Sequence, residues 1–211
     1  MEVKLLNRAD LSDIICEAAA ALCTGSNNHP AALAGALASG HESVIEHANF
    51  TFRIEGVSRV LLAQLTRHRI ASFSVQSQRY CGVTREWVIP MSVVNAGLGD
   101  EYWVEMNRAF DLYEKQIAAG VPEEDARFII PQGVTCNLIL TMNARELRHF
   151  FSLRCCNRAQ WEIRMLADRM LDICQEVAPR LFKNAGCACM AGKPCPEKRP
   201  CGHPRERRTP A

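Results

Sequence analysis

Between Ala48 and Glu55 the chain changes its period, and that change limits what it can fold into. Ala48, Phe50, Phe52 and Ile54 alternate with Asn49, Thr51, Arg53 and Glu55. A period of two gives a strand with one buried and one wet face, here ending at Gly56. The flanking segments follow a helical period instead. Leu11 to Cys23 reads as an Ala-rich helix closed by Thr24-Gly25, and Pro30 to Gly40 as a second short helix with proline in its first turn. Ser58 suits the N-cap of a helix from Arg59 to about Arg67. Trp87-Val88-Ile89 reads as a short strand before Pro90, and Asp100 to Ala119 as an amphipathic helix stopped by Gly120. Pro122 opens a helix whose first turn is acidic, as the helix dipole favours, and which ends before Pro131. Val134 to Met142 reads as a strand. Asn143 caps a helix through Phe151 to Arg154, and Arg158 to Phe182 forms a long helix that Pro179 interrupts.

Helices and a few strands therefore interleave without a regular strand-helix-strand rhythm, and no G-x-G-x-x-G follows a strand. The expected fold is α+β, a small sheet flanked by long helices, forming one compact unit over residues 1–184. Residues 185–211 are rich in Cys, Pro and Arg, lack periodicity, and read as an extended tail.

At 211 residues the chain can bury a sizeable core. It has no apolar run of about 18 residues, so no transmembrane helix is expected. Met1-Glu2-Val3-Lys4 does not resemble a secretory signal, which makes the cytoplasm the expected location. The net charge of +2 is unevenly placed: Lys193 to Arg208 holds six basic residues against two acidic ones. The rest of the chain is slightly negative, which argues against a general polyanion binder and against nucleic acid as the partner.

The basic residues matter as local clusters. Arg67 to Tyr80 carries three arginines, one histidine and three serines, and no Asp or Glu occurs from Gly56 to Arg85. Arginine forks and hydroxyls suit phosphate and carboxylate oxygens, for which nearby acids would compete. The strip, at the end of a helix and in the loop after it, reads as a site for a phosphorylated small molecule. His41-Glu42-Ser43-Val44-Ile45-Glu46-His47 looks like a zinc-protease motif but is not one. That motif needs histidines four apart on one helix face, and these are six apart. No metal is assigned to this segment.

Arg67-His68-Arg69, seven residues, then Ser77 and Arg79 resembles the signature of the flavin-dependent thymidylate synthases, also known as thymidylate synthase-complementing proteins. The resemblance runs from about His41 to Trp161 and into the last helix. It implies reductive methylation of dUMP to dTMP, with FAD as cofactor, 5,10-methylenetetrahydrofolate as one-carbon donor and NADPH as reductant. It also implies a homotetramer with shared active sites. On the flavin side it places Ser43, Arg67, His68, Arg69, Asn143, Arg145 and His149, with His41 near flavin and folate. On the nucleotide side it places Gln64, Ser77, Gln78, Arg79 and Arg127. Arg154 falls where the family sets an arginine against the uracil ring, as a catalytic group. Taken alone, Arg145, Arg148, Arg154 and Arg158 would describe an exposed basic helix face. Ser74-Val75 stands where many relatives carry Asn-Glu, so any contact of that carboxylate is lost or moved.

Eleven cysteines remain to be placed. Cys16, Cys23 and Cys174 sit in helical apolar patterns and read as small buried hydrophobes. Cys187, Cys189, Cys195 and Cys201 form a separate group in the tail. Four thiolates suit a tetrahedral zinc, and a zinc-containing nucleic-acid-binding tail is the alternative reading. The spacing lacks the paired C-x2-C knuckles of strong zinc sites.

Overall fold

A computed structural model describes residues 1–8 and 12–206. Leu11, the expected first residue of the opening helix, and Arg207 and Arg208 of the basic tail lie outside the described residues. The elements are β1 (Glu2–Arg8), α1 (Ser12–Thr24), α2 (His29–Ala38), a 3-10 turn (Glu42–Ile45), β2 (Asn49–Ser58), α3 (Arg59–Leu65) and β3 (Ala71–Val75). There follow α4 (Met91–Asn95), α5 (Gly99–Ala118), α6 (Glu123–Ala126) with a 3-10 turn at Arg127–Ile129, β4 (Thr135–Asn143), α7 (Ala144–Arg154), α8 (Trp161–Val177) and α9 (Pro179–Phe182). One four-stranded sheet has the order β1-β2-β4-β3, and the α+β expectation holds.

The alternation from Ala48 to Glu55 is the spine of this sheet. Phe50, Phe52 and Ile54 of β2 are fully buried, and Leu138, Leu140 and Met142 repeat the pattern on β4. The two strands run antiparallel. The Ala144 N–H donates to Ala48 O (2.8 Å) at one end, and the Thr51 and Thr141 hydroxyls meet at 2.9 Å further along. β2 does not stop at Gly56. That residue has φ +66°, its N–H is taken by Asn137 Oδ1 (3.0 Å), and a Cβ there would lie 3.3 Å from the Met1 nitrogen. Glycine is the residue that carries the strand through such a point. Ser58 then caps α3, its Oγ accepting the Leu61 N–H at 3.0 Å.

Several elements differ from expectation, among them β1, for which no strand was expected. The basic strip is not all loop: Ala71, Phe73 and Val75 are half-buried between exposed Ser72 and Ser74, and they form the edge strand β3. Trp87 makes only an isolated bridge to Val134 rather than a strand, and the short α4 follows Pro90. The long last helix begins at Trp161, where Gln160 Oε1 accepts the N–H groups of Glu162 and Ile163, and it breaks before Pro179.

The described residues gather into two compact units, and both β2 and β4 contribute residues to each. The first comprises Met1–Glu2, Ile54–Thr66 and Ser74–Ile139. Its core packs Met106, Phe110 and Val134 against Trp87 and Tyr102. The second comprises Val3–Arg53, Arg67–Phe73 and Leu140 to the end of the described chain. Its core is aromatic, with Phe50 against Phe182 (centroids 5.3 Å) and Phe151 against Phe182 (6.0 Å). The described residues after Asn184 form neither helix nor strand, yet Cys187 and Met190 are buried and Arg205 makes a two-pronged bond to Asp168 of α8 (2.8 and 2.9 Å). Among the described residues no helix is long and apolar enough to cross a membrane.

Candidate functional site

The residues expected to hold a nucleotide fall in the first unit. Past β3 the chain is pinned to β4: the Gln76 N–H donates to Asn137 O (2.9 Å), and Asn137 Nδ2 donates to Gln76 Oε1 (3.2 Å). The next residues then turn, with Ser77 Oγ accepting the Arg79 N–H at 3.1 Å. A hydroxyl that accepts here keeps its own proton to donate, which a phosphate oxygen requires. Arg79 Nε meets Glu124 Oε2 at 2.7 Å, and Arg127 Nε donates to the backbone oxygen of the same Glu124 at 3.0 Å. Glu124 thus gathers two of the expected nucleotide-binding arginines. Both partners of the Arg79–Glu124 pair are about half exposed, and such pairs contribute only about 0–1 kcal/mol, so an anionic ligand can take Arg79 over. Gln78 lies beside Ser77 in a small hollow lined also by Cys81 and Thr135. Gln64, on α3, turns back along its own helix toward Val60 O (3.5 Å).

The residues expected around the flavin, and Arg154, fall in the second unit. Asn143 caps α7, its Oδ1 accepting the Glu146 N–H at 2.9 Å. Arg145 pairs with Glu46 (2.5 Å) and Arg148 with Glu42 (2.8 Å), so α7 is fastened on both sides of the turn that carries Ser43. His41 N-caps that turn without a side-chain bond, and its side chain is exposed. Arg67 and Arg69 are exposed and make no ion pair with a described residue.

His68, between them, is buried. Its Nδ1 lies 3.0 Å from Glu146 Oε1, and its Nε2 accepts Arg154 Nε at 3.2 Å. Its ring stands edge-on to Phe150 (5.0 Å) and to His149 (5.9 Å). Burial pulls the His68 pKa below its ordinary value of 6.5, and the neighbouring Arg154 and His149 add to this, against the Glu146 carboxylate. Arg154 is half-buried, and burial lowers its pKa too. Among the described residues only its Nε finds a partner, so both Nη groups remain available. Together with His149, Arg148 and Arg158, it lines an open cleft of about 590 Å³ whose other wall is the segment from Asn184 to Glu197. That volume is within the usual range for small-molecule sites.

The donor set fits a flavin dinucleotide. Two unpaired exposed arginines suit a pyrophosphate, and the Asn143 amide nitrogen is still free to donate once its oxygen has capped α7. Among the described residues no group of three or more His, Cys, Asp or Glu side chains is placed to hold a metal. Cys187 and Cys189 stand 3.4 Å apart as a pair.

The acids are what sequence reasoning missed. The strip from Gly56 to Arg85 is acid-free along the chain, but Glu124 and Glu146 return to it in space. One signal was present: Asn143 and Glu146 have the spacing of a capping box, in which the glutamate reaches back to the cap. Here the glutamate turns to His68 instead.

The chain is similar to known proteins. The family model described as "Thymidylate synthase complementing protein" matches residues 4–180. A protein of Geobacter sulfurreducens named "Flavin-dependent thymidylate synthase" is 52% identical over 164 residues, covering 75% of this chain and 69% of its own. Proteins of the same name from Nitratidesulfovibrio vulgaris and Pyrococcus furiosus are each 47% identical over 175 residues. They cover 78% and 77% of this chain and 71% and 70% of their own. The matched family region ends before the segment that walls the cleft.

Proposed function

The chain belongs to the thymidylate synthase complementing protein family, and from that premise we propose that it makes dTMP from dUMP with a flavin as redox cofactor. In this reading the flavin is FAD, 5,10-methylenetetrahydrofolate is the one-carbon donor and NADPH the reductant, and the enzyme works in the cytoplasm as a homotetramer with shared active sites. Bound flavin would supply the hydride that completes the methyl group.

The chain's own residues bind, orient and compensate charge. Ser77, Gln78, Arg79 and Arg127 hold the nucleotide, with Gln64 beside them. Ser77 donates its hydroxyl proton to a phosphate oxygen. No base is assigned to make it a nucleophile. Arg67, Arg69, Asn143 and Arg145 hold the flavin, with His41, Ser43 and His149 near it; His68, expected among the flavin contacts, is buried and supports Arg154 instead. For Arg145 this means sharing its guanidinium with Glu46. Arg154 turns its two free Nη groups to the pyrimidine and stabilises the negative charge that develops on the ring. A donor fixed before the reaction stabilises such charge without having to reorganise.

The observation that carries the reading is the state of Arg154: its Nε is fixed by a buried histidine, and the residue lines a ligand-sized cleft. The test is direct. The purified protein, reconstituted with FAD and desalted, is expected to be yellow and to convert dUMP to dTMP with methylenetetrahydrofolate and NADPH. A protein that retains FAD but forms no dTMP overturns the assigned reaction. One that stays colourless after saturation with FAD overturns the cofactor.

A further inference from the structure

We propose that Glu146 is the positioning residue of the site: through His68 it sets the plane in which Arg154 presents its free nitrogens. The inference rests on the reading of Arg154 given above and adds to it a residue that the signature does not contain.

Donors and acceptors fix the tautomer of His68. Arginine has N–H groups and no lone pair to offer, so in the Arg154–His68 contact the histidine nitrogen must accept. An imidazole with Nε2 accepting is neutral and carries its one proton on Nδ1. That proton faces Glu146 Oε1 at 3.0 Å, and a carboxylate is the natural acceptor for it. The chain Glu146···H–Nδ1, Nε2···H–Nε of Arg154 satisfies each contact in only one sense. The opposite tautomer would set two N–H groups against each other at Nε2 and leave the buried carboxylate without its donor.

The surroundings hold this arrangement. His68 is 5% and Glu146 7% exposed, and the edge-on contact with Phe150 fixes the ring plane. The charged and titratable groups facing His68 are Glu146, His149 and Arg154, all on α7. Burial comes first in keeping the ring neutral, with Arg154 and His149 assisting, while Glu146 opposes. Neither Glu146 nor His68 lines the cleft; Arg154 does. Glu146 therefore acts at one remove, by fixing the tautomer that lets His68 accept. The cap helps, since the Glu146 backbone N–H is itself held by Asn143 Oδ1 at 2.9 Å.

The substitutions follow from this logic. Glu146→Gln still offers an oxygen to Nδ1–H, whereas Glu146→Ala offers nothing. With FAD-loaded enzyme, Glu146→Ala is expected to lower kcat about 10²-fold, the scale of a misplaced group, with little change in the KM for dUMP. Glu146→Gln should retain most of kcat. Its acid limb should move to lower pH, because losing the carboxylate makes His68 harder to protonate, and a protonated ring can no longer accept from Arg154. A second readout does not depend on turnover. Nitrogen NMR of histidine-labelled protein, with the His68 signal identified by its loss in His68→Gln, should show the Nδ1–H tautomer at neutral pH in the parent and in Glu146→Gln, but not in Glu146→Ala.

An Nε2–H or doubly protonated His68 in the parent would overturn the proposal, as would parental kcat in Glu146→Ala. If Glu146→Ala does not fold, the tautomer and the acid limb of Glu146→Gln decide: an unmoved limb overturns it. A protein that shows the Nδ1–H tautomer and yet makes no dTMP keeps the relay and loses the assigned reaction, so the two failures are distinguishable.

Discussion

At the scale of single residues, Arg154 carries the sharpest expectation. Its Nε is committed to His68 while the residue lines the cleft, so a lysine cannot replace it. An ammonium is a point charge that cannot bond the imidazole and present two further donors in one plane. Arg154→Ala is expected to lower turnover by at least about 10²-fold, the loss typical for one donor to a developing anion. Arg154→Lys should recover only part of that, while the FAD absorbance of both variants matches the parent. Near-parental turnover in Arg154→Ala would remove it from the chemistry. The cations of this site were legible in the sequence because their order along the chain is itself the signal. Their carboxylate partners were not. Glu124 lies 45 positions from Arg79 and Glu146 lies 78 from His68, and neither proximity leaves a mark on local sequence. Glu124 reads only as an acid in the first turn of a short helix. Glu146 reads only as the third residue after a cap, where its expected bond is to that cap.

At the scale of elements, the sequence was legible wherever a segment had one fully buried face or a satisfied cap. β2 and β4 alternate cleanly because they occupy the middle of the sheet, where Phe50, Phe52, Ile54, Leu138, Leu140 and Met142 are all buried. The outer strands gave no such contrast. β1 buries only parts of Val3 and Leu5, and β3 only parts of Ala71, Phe73 and Val75, so a period of two scarcely rises above the background of a loop. The caps at Ser58 and Asn143 were legible from residue type alone, because a short acceptor before an apolar helical run has few other uses. The Ser58 cap leads to a test. Its hydroxyl is buried and holds the Leu61 N–H at 3.0 Å, at the start of the helix that delivers the chain to Arg67. Ser58→Ala is expected to reduce the unfolding free energy by about 1 kcal/mol, read from urea unfolding, with turnover of the folded enzyme unchanged. A loss indistinguishable from zero would mean that another group caps α3.

At the scale of the whole molecule, the expected site residues divide by role: the nucleotide set lies in one compact unit, and the flavin set with Arg154 in the other. The division follows the chain twice over, since the basic strip leaves the flavin set at Phe73 and enters the nucleotide set from Ser74 onward. The segment after Asn184 belongs to the second unit, and its first residues form a wall of the cleft that Arg154 lines. Composition marked this segment as proline-rich and irregular, but composition does not record what holds it. Arg205 does much of that. It bonds both oxygens of Asp168 and also the Cys155 carbonyl (2.7 Å), while its own N–H donates to Cys189 Sγ (3.3 Å). The side chains of the ion pair are only 16% and 11% exposed, so removing one partner leaves a charge in a poorly solvated place. The cost of breaking such a pair is about 3 kcal/mol or more, well above that of a surface pair. Arg205→Ala is therefore expected to lower the unfolding free energy, read from urea unfolding, by that margin. Adding Asp168→Asn to it should return part of the loss, because the stranded charge is then gone. The exposed pair Arg108–Glu105 serves as the control, and Arg108→Ala should shift the midpoint little. If Arg205→Ala proves no more damaging than Arg108→Ala, the segment is held to α8 by its buried Cys187 and Met190 rather than by this ion pair.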